Sequence, residues 1–290
     1  MRRGMTGALA SLGAAPERGR PMRRSDALGL PSWAYTLAAV GLLAISLPVL
    51  ALFLRADWPT VPVDLASPSA LSALGLSLAT ALAATLASLL LGLPLAFVLA
   101  RLRGRLAEAA RAVVLVPLVL PPMVGGLALL FLLGRRGLLG GPVFEATGWS
   151  LPFSLSAVVV AEAFVAAPFL IVTVEGGLRT QGRCQAEAAA ILGASRTQVL
   201  FRVTLPMLAP VLRGGVALCF ARALGEFGAT ALFAGNLPGV TQTMPLAIYT
   251  AFNGAGVSQG VATSLSLLMV VCSVVLLAAS GIVGRGRVVA

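Results

Sequence analysis

Residues Glu187–Pro206, EAAAILGASRTQVLFRVTLP, form the longest run between two strongly apolar stretches that is built to face water, and their reading decides the fold. Glu187 to Leu192 are good helix formers, and the small Ala188, Ala189 and Ala190 permit close approach by a partner. Gly193 sits where a helix C-cap needs positive φ, which glycine adopts without a Cβ penalty. Ser195 with Gln198 three residues on reads as a capping box that starts a second helix. Val199, Leu200 and Val203 give that helix an apolar side, while Arg196 and Arg202 keep it wet. Leu205-Pro206 is expected to end the segment and turn the chain into the next apolar run.

Around this loop the chain is mostly oil. Of 290 residues, 58% are hydrophobic and 11% charged, with a mean hydropathy of +0.97, the balance of a multi-spanning membrane protein. All 21 basic residues are Arg, and His is absent. Without Lys there is no phosphate-binding P-loop, and without His no Ser-His-Asp triad or His metal site. Any ATP used is therefore handled by another chain, and no nucleophile–base pair or metal-ligand spacing suggests an enzyme. Cys184, Cys219 and Cys272 are scattered, and two of them lie inside apolar runs as small hydrophobes.

Residues 1–32 lack apolar periodicity and read as a disordered tail. A first transmembrane helix is expected over 33–54, too long for a cleavable signal. Further spans are expected over 71–100, 112–133, 153–178, 208–234 and 261–283, with a loop at 183–206 and a short tail at 284–290. This makes an all-α membrane protein of about six transmembrane helices. Placing the N-terminus inside puts all but four of the 21 basic residues on the cytoplasmic side; Arg55, Arg135 and Arg136 lie outside and Arg222 within a span. That satisfies the positive-inside rule, leaves both termini and the Glu187–Pro206 loop cytoplasmic, and explains the net charge of +11 without nucleic acid.

Inside the spans, Ser77, Ala81, Thr85 and Ser88 form a small, weakly polar stripe, open to reading as a packing seam or a substrate lining. Pro117, Pro121 and Pro122 are expected to break the third span near mid-membrane. Glu162, Arg222 and Glu226 must avoid lipid, because a central charge costs about 2.5–3.5 kcal/mol on insertion scales. Arg222 and Glu226 are four apart and can pair on one helix face. With Thr230 these residues are the candidate pathway or gate, the alternative being an internal ion pair that fixes the bundle. Pro245–Phe252, with proline favourable at the first helical position, is expected to form a short outward-facing helix at the membrane edge.

The order Glu187-Ala188-Ala189, Gly193, Val203, Leu205-Pro206 resembles the cytoplasmic signature loop of ABC importer permease subunits, with Val203 where Ile is usual. The resemblance covers about residues 70–283 and implies the type I importer permease fold. The stretch FARALGEFGATALFAGNLPGVTQTMPLAIYTAF, Phe220–Phe252, further resembles molybdate permeases; sulfate permeases are similar through Leu224–Ala229 but usually depart after the Gly235-Asn236 turn. The resemblance implies a homodimer in the bacterial inner membrane, translocating molybdate. Two cytoplasmic ABC ATPase subunits holding ATP and Mg would dock on the loop, and an extracytoplasmic oxyanion-binding protein would deliver the substrate. Sulfate, thiosulfate and tungstate remain alternative substrates, and a secondary transporter or channel without ATPase remains a different class.

Overall fold

A computed structural model of the chain describes residues 30–180, 184–254 and 259–279. The expected tails at 1–32 and 284–290 lie outside these residues, save for 30–32, as do residue 183 of the loop and residues 280–283 of the sixth span. Two units divide between Ala51 and Leu52. The first contains most of α1 (Ser32–Arg55), a helix apolar on every side with Pro48 inside it. The second holds the remaining helices, and no strand occurs among the described residues. Five helices are long and apolar enough to cross a membrane, or six if one bent pair counts as a span.

The second unit begins with α2 (Val61–Leu65) and α3 (Pro68–Arg101). Ser67 caps α3 by accepting the Ala70 N–H, and Pro68 occupies its first turn, where a missing N–H costs nothing. α3 packs along α7 (Leu155–Thr180) and α10 (Leu205–Leu224). Leu99, Leu170, Val174, Cys219 and Ala223 fill the middle of that core. The stripe on α3 is buried in this contact. Thr85 and Ser88 donate their hydroxyls to Ala81 and Ala84 of their own helix, so they form a packing seam and need no outside partner. Ser77 is different: it accepts the Met244 N–H at 2.7 Å and so ties α3 to the start of α12 (Met244–Asn253). α13 (Gln259–Ala279) packs on α12 and α2, where the Ser264 hydroxyl donates to Asp64 at 2.7 Å.

Two helices are broken. α4 (Gly104–Val119) and α5 (Pro122–Leu133) meet at 114°. Pro117 is tolerated inside α4; the break comes where Leu120 and Pro121 each precede a proline and are held extended, at ψ 135° and 133°. The helix that carries the span expected from Ala112 begins earlier, at Gly104. The second break corrects the expected span 208–234: α10 stops at Leu224, and α11 (Gly228–Phe233) starts after a gap of three residues. The apolar composition runs straight through this gap, so hydropathy does not reveal it.

α5 and α11 then lie against each other. A Cβ on Gly126 would sit 2.7 Å from the Ala229 carbonyl oxygen and 2.9 Å from its Cα, and one on Gly228 would sit 2.9 Å from Pro122 Cβ. These are contacts with backbone or with a rigid ring, which cannot yield. Gly126→Val is expected to lower stability by about 1–3 kcal/mol through overpacking. Gly75→Ala on α3, with no atom within 4 Å of its added methyl, is expected to be neutral or slightly stabilising. Thermal unfolding midpoints of the detergent-purified variants separate the two.

Candidate functional site

The signature-loop residues occupy one arm. Glu187, Ala188 and Ala189 lie on α8 (Cys184–Ile191). The Gly193 N–H bonds to the Ala190 carbonyl and the Ala194 N–H to that of Ala189, both at 3.0 Å, which is the Schellman arrangement. Gly193 is accordingly left-handed, with φ +87°. Ser195 then opens α9 (Arg196–Val199): its hydroxyl accepts the Gln198 N–H, and Gln198 Oε1 accepts the Ser195 N–H at 2.8 Å. Two short elements thus meet at a corner made from local hydrogen bonds.

The helix does not end at Leu205-Pro206, as the sequence suggested. Leu200–Thr204 form a π turn, in which the Leu205 N–H bonds to the Leu200 carbonyl, and the chain continues as one helix from Arg196 to Leu224. Pro206 lacks an N–H, and its ring crowds the carbonyl four residues back; the wider turn just before it accommodates both. Val203 lies in the π turn, and Leu205 and Pro206 begin α10. Ile191 and Leu192 at the tip of α8 are 86% and 88% exposed, an apolar pair that the motif does not single out. An open groove of about 680 Å³ separates this arm from the end of α3, with Phe97 and Arg101 on one wall and Ala190 and Phe201 on the other.

The candidate pathway residues gather around the second break. Arg222 and Glu226 do pair, Nη2 to Oε2 at 2.7 Å, but Glu226 lies beyond the helix end and not on its face. The approach is close yet off-line, so the contact is an ion pair and not a directed hydrogen bond. The other carboxylate oxygen accepts the Ala229 N–H at 2.8 Å. One buried side chain thereby joins the end of α10 to the start of α11. Glu162 on α7 accepts the Thr80 hydroxyl at 3.0 Å, and its second oxygen has no partner among the described residues. Thr230, fully buried on α11, has a hydroxyl without a partner among the described residues.

A third charged group is not legible in the sequence. Arg111 of α4 bonds Glu175 of α7 at 2.6 Å and the Leu99 carbonyl near the end of α3 at 3.0 Å, while Arg179 joins Glu175 at 3.2 Å. The Glu175–Arg179 spacing is visible as an i, i+4 pair; the Arg111 contact, 64 residues away, is not.

The stretch 88–288 matches the family described as binding-protein-dependent transport system inner membrane component. The chain is 46% identical over 242 residues to the molybdenum transport system permease protein ModB of Mycobacterium bovis, covering 83% of this chain and 90% of that one. It is 38% identical over 205 residues to ModB of Haemophilus influenzae, covering 71% and 89%. Among solved structures it superposes on a chain of a bacterial alginate ABC transporter in complex with its substrate-bound periplasmic protein, with TM-score 0.60, 15% identity and 88% of this chain covered. A chain of the MetNI methionine ABC transporter gives TM-score 0.57 at 20% identity over 73% of this chain. The fold is that of type I ABC importer permeases, and the protein crosses the membrane several times.

The double contact of Glu226 changes what a charge exchange does. Arg222→Ala is expected to destabilise by about 3–5 kcal/mol, since it strands a buried carboxylate. Arg222→Glu/Glu226→Arg restores neutrality but offers no acceptor to the Ala229 N–H and brings a cation to a helix N-terminus. It is expected to recover little, with about 1–3 kcal/mol lost at the orphaned donor alone. Folded yield and melting temperature in detergent check this; full recovery by the exchange means that only the charge pair matters.

Proposed function

The chain belongs to the binding-protein-dependent transport system inner membrane component family, and from that membership we propose that it is the membrane-spanning subunit of an ABC importer carrying molybdate into the cytoplasm. The observation that carries the substrate is the 46% identity to a molybdenum transport permease over 83% of this chain. In this reading two copies surround the pathway in the bacterial inner membrane, with both termini cytoplasmic. An extracytoplasmic binding protein hands over the oxyanion, and two ATPase subunits below hold ATP and Mg. The chain itself contributes no ATP site; with no Lys it cannot form a P-loop.

Glu187, Ala188, Ala189, Gly193, Val203, Leu205 and Pro206 are assigned to the coupling arm that docks on the ATPase. The exposed Ile191 and Leu192 support this, because an adjacent apolar pair left open on a loop between apolar spans offers a contact surface. Closure of the ATPases would draw the two arms together, and the unbroken helix from Arg196 to Leu224 would carry that displacement to the break at residues 225–227. Glu162, Arg222, Glu226 and Thr230 are assigned to the pathway or gate at that break. The deciding experiment is reconstitution of the permease with its ATPase and binding protein, comparing molybdate, tungstate and sulfate in uptake and stimulated ATP hydrolysis. Uptake of sulfate alone would overturn the substrate assignment.

Gly193 tests the arm. No atom lies within 4 Å of a Cβ built there, so the cost of a side chain is purely conformational, about 1–2 kcal/mol for an L-residue at φ +87°. Gly193→Val is expected to keep normal membrane levels while weakening ATPase co-purification and molybdate uptake. Gly193→Asn, which tolerates this conformation, should retain most of both, and Glu187→Ala should show a milder defect than valine. Normal uptake by Gly193→Val removes the coupling role. Sidedness is tested separately by cysteine placed at Ser195 in a background lacking native Cys: an impermeant thiol reagent should label it only after the cells are opened.

A further inference from the structure

Arg222 stands 26 residues into the helix that starts at Arg196, roughly 39 Å along its axis, far from the arginines at the loop end. A guanidinium carries five N–H donors, and here Glu226 is the sole partner found for it among the described residues. The two partners are unequally placed: the Arg222 side chain is 26% exposed, that of Glu226 only 1%. The Glu226 carboxylate cannot swing away from its position without releasing the Ala229 N–H. The pair is therefore a fixed, hidden anion behind a cation that keeps free donors on an accessible side. An ion pair serving stability alone has no need of that asymmetry, and well-packed apolar residues stabilise as well or better.

We propose that Arg222 is a transit contact for the oxyanion, a deliberately weak site for a tetrahedral dianion, and that Glu226 sets its weakness. This rests on the reading of the chain as an oxyanion importer. A dianion leaving water for a low-dielectric passage needs a compensating cation, and guanidinium matches its oxygens in geometry as well as charge. An uncompensated guanidinium there would hold the dianion too long, because Coulomb attraction grows as the local dielectric falls. Passage requires binding favourable enough for entry and weak enough for exit. Glu226, 2.7 Å behind the guanidinium, subtracts from the attraction at every moment of transit.

The test uses the permease–ATPase complex with two variants that keep an amide oxygen for the Ala229 N–H and so preserve the start of α11. Glu226→Gln removes the hidden anion; Arg222→Gln/Glu226→Gln removes both charges and strands neither. Binding of radiolabelled molybdate is measured on the complex without binding protein, and uptake is measured in proteoliposomes with it. For Glu226→Gln we expect molybdate retention to tighten about tenfold or more and maximal uptake to fall by a similar factor. For the neutral double variant we expect no retention, uptake reduced at least about tenfold, and intact assembly and ATP hydrolysis. Wild-type uptake by the double variant, or unchanged retention in Glu226→Gln, overturns the proposal. If the unmodified complex moves molybdate, such a failure counts against the transit site alone; if it moves no oxyanion, the functional reading falls and this proposal with it.

Discussion

Within a bilayer, each interrupted turn of helix leaves backbone donors and acceptors that lipid cannot satisfy, and the chain interrupts its helices twice at places that touch. The α4/α5 break puts Pro122 against Gly228, beside the α10/α11 break, so each interruption is covered by the other's protein surface. Only glycine at 126 and 228 lets the backbones come this close. Glu226 supplies an acceptor to the Ala229 N–H at the buried start of α11. Much else depends on protecting this junction: α7 lies against both α5 and α11, and Phe233 and Val158 are fully buried at their contact.

The features readable in advance were those governed by local chemistry. Gly193 and the Ser195–Gln198 box needed only neighbours within a few residues, and their hydrogen bonds form as the residue types dictate. The apolar runs marked the long helices for the same reason. Reading failed where the deciding partner was distant or where two local rules competed. Pro206 argued for a stop, yet a π turn absorbed it, and residue propensities do not encode that choice. At residues 225–227 the apolar composition continues through Ala234 while the helix does not. Arg111 looked like a loop charge because Glu175 and the Leu99 carbonyl become its partners only once α3, α4 and α7 are packed.

The same distinction orders the two groups of site residues. The arm that carries Glu187 and Gly193 is a surface object: it is exposed and made from local caps. The ionisable groups at the break are an interior object, in which Thr80, Arg222 and the Ala229 N–H hold two carboxyl groups drawn from α7 and from the α10/α11 gap. A single helix, Arg196–Leu224, belongs to both.

That helix contains one residue of slack. A π turn houses an extra residue relative to α-helical winding, so everything before Leu200 is rotated by about 100° relative to an unbroken α-helix ending at the same Arg222. The azimuth of the outer arm and the azimuth of the buried seam are thus phased independently along one rod. Drift in the orientation of the arm can be absorbed in those five residues, and the packing against α3 and α7 need not register it.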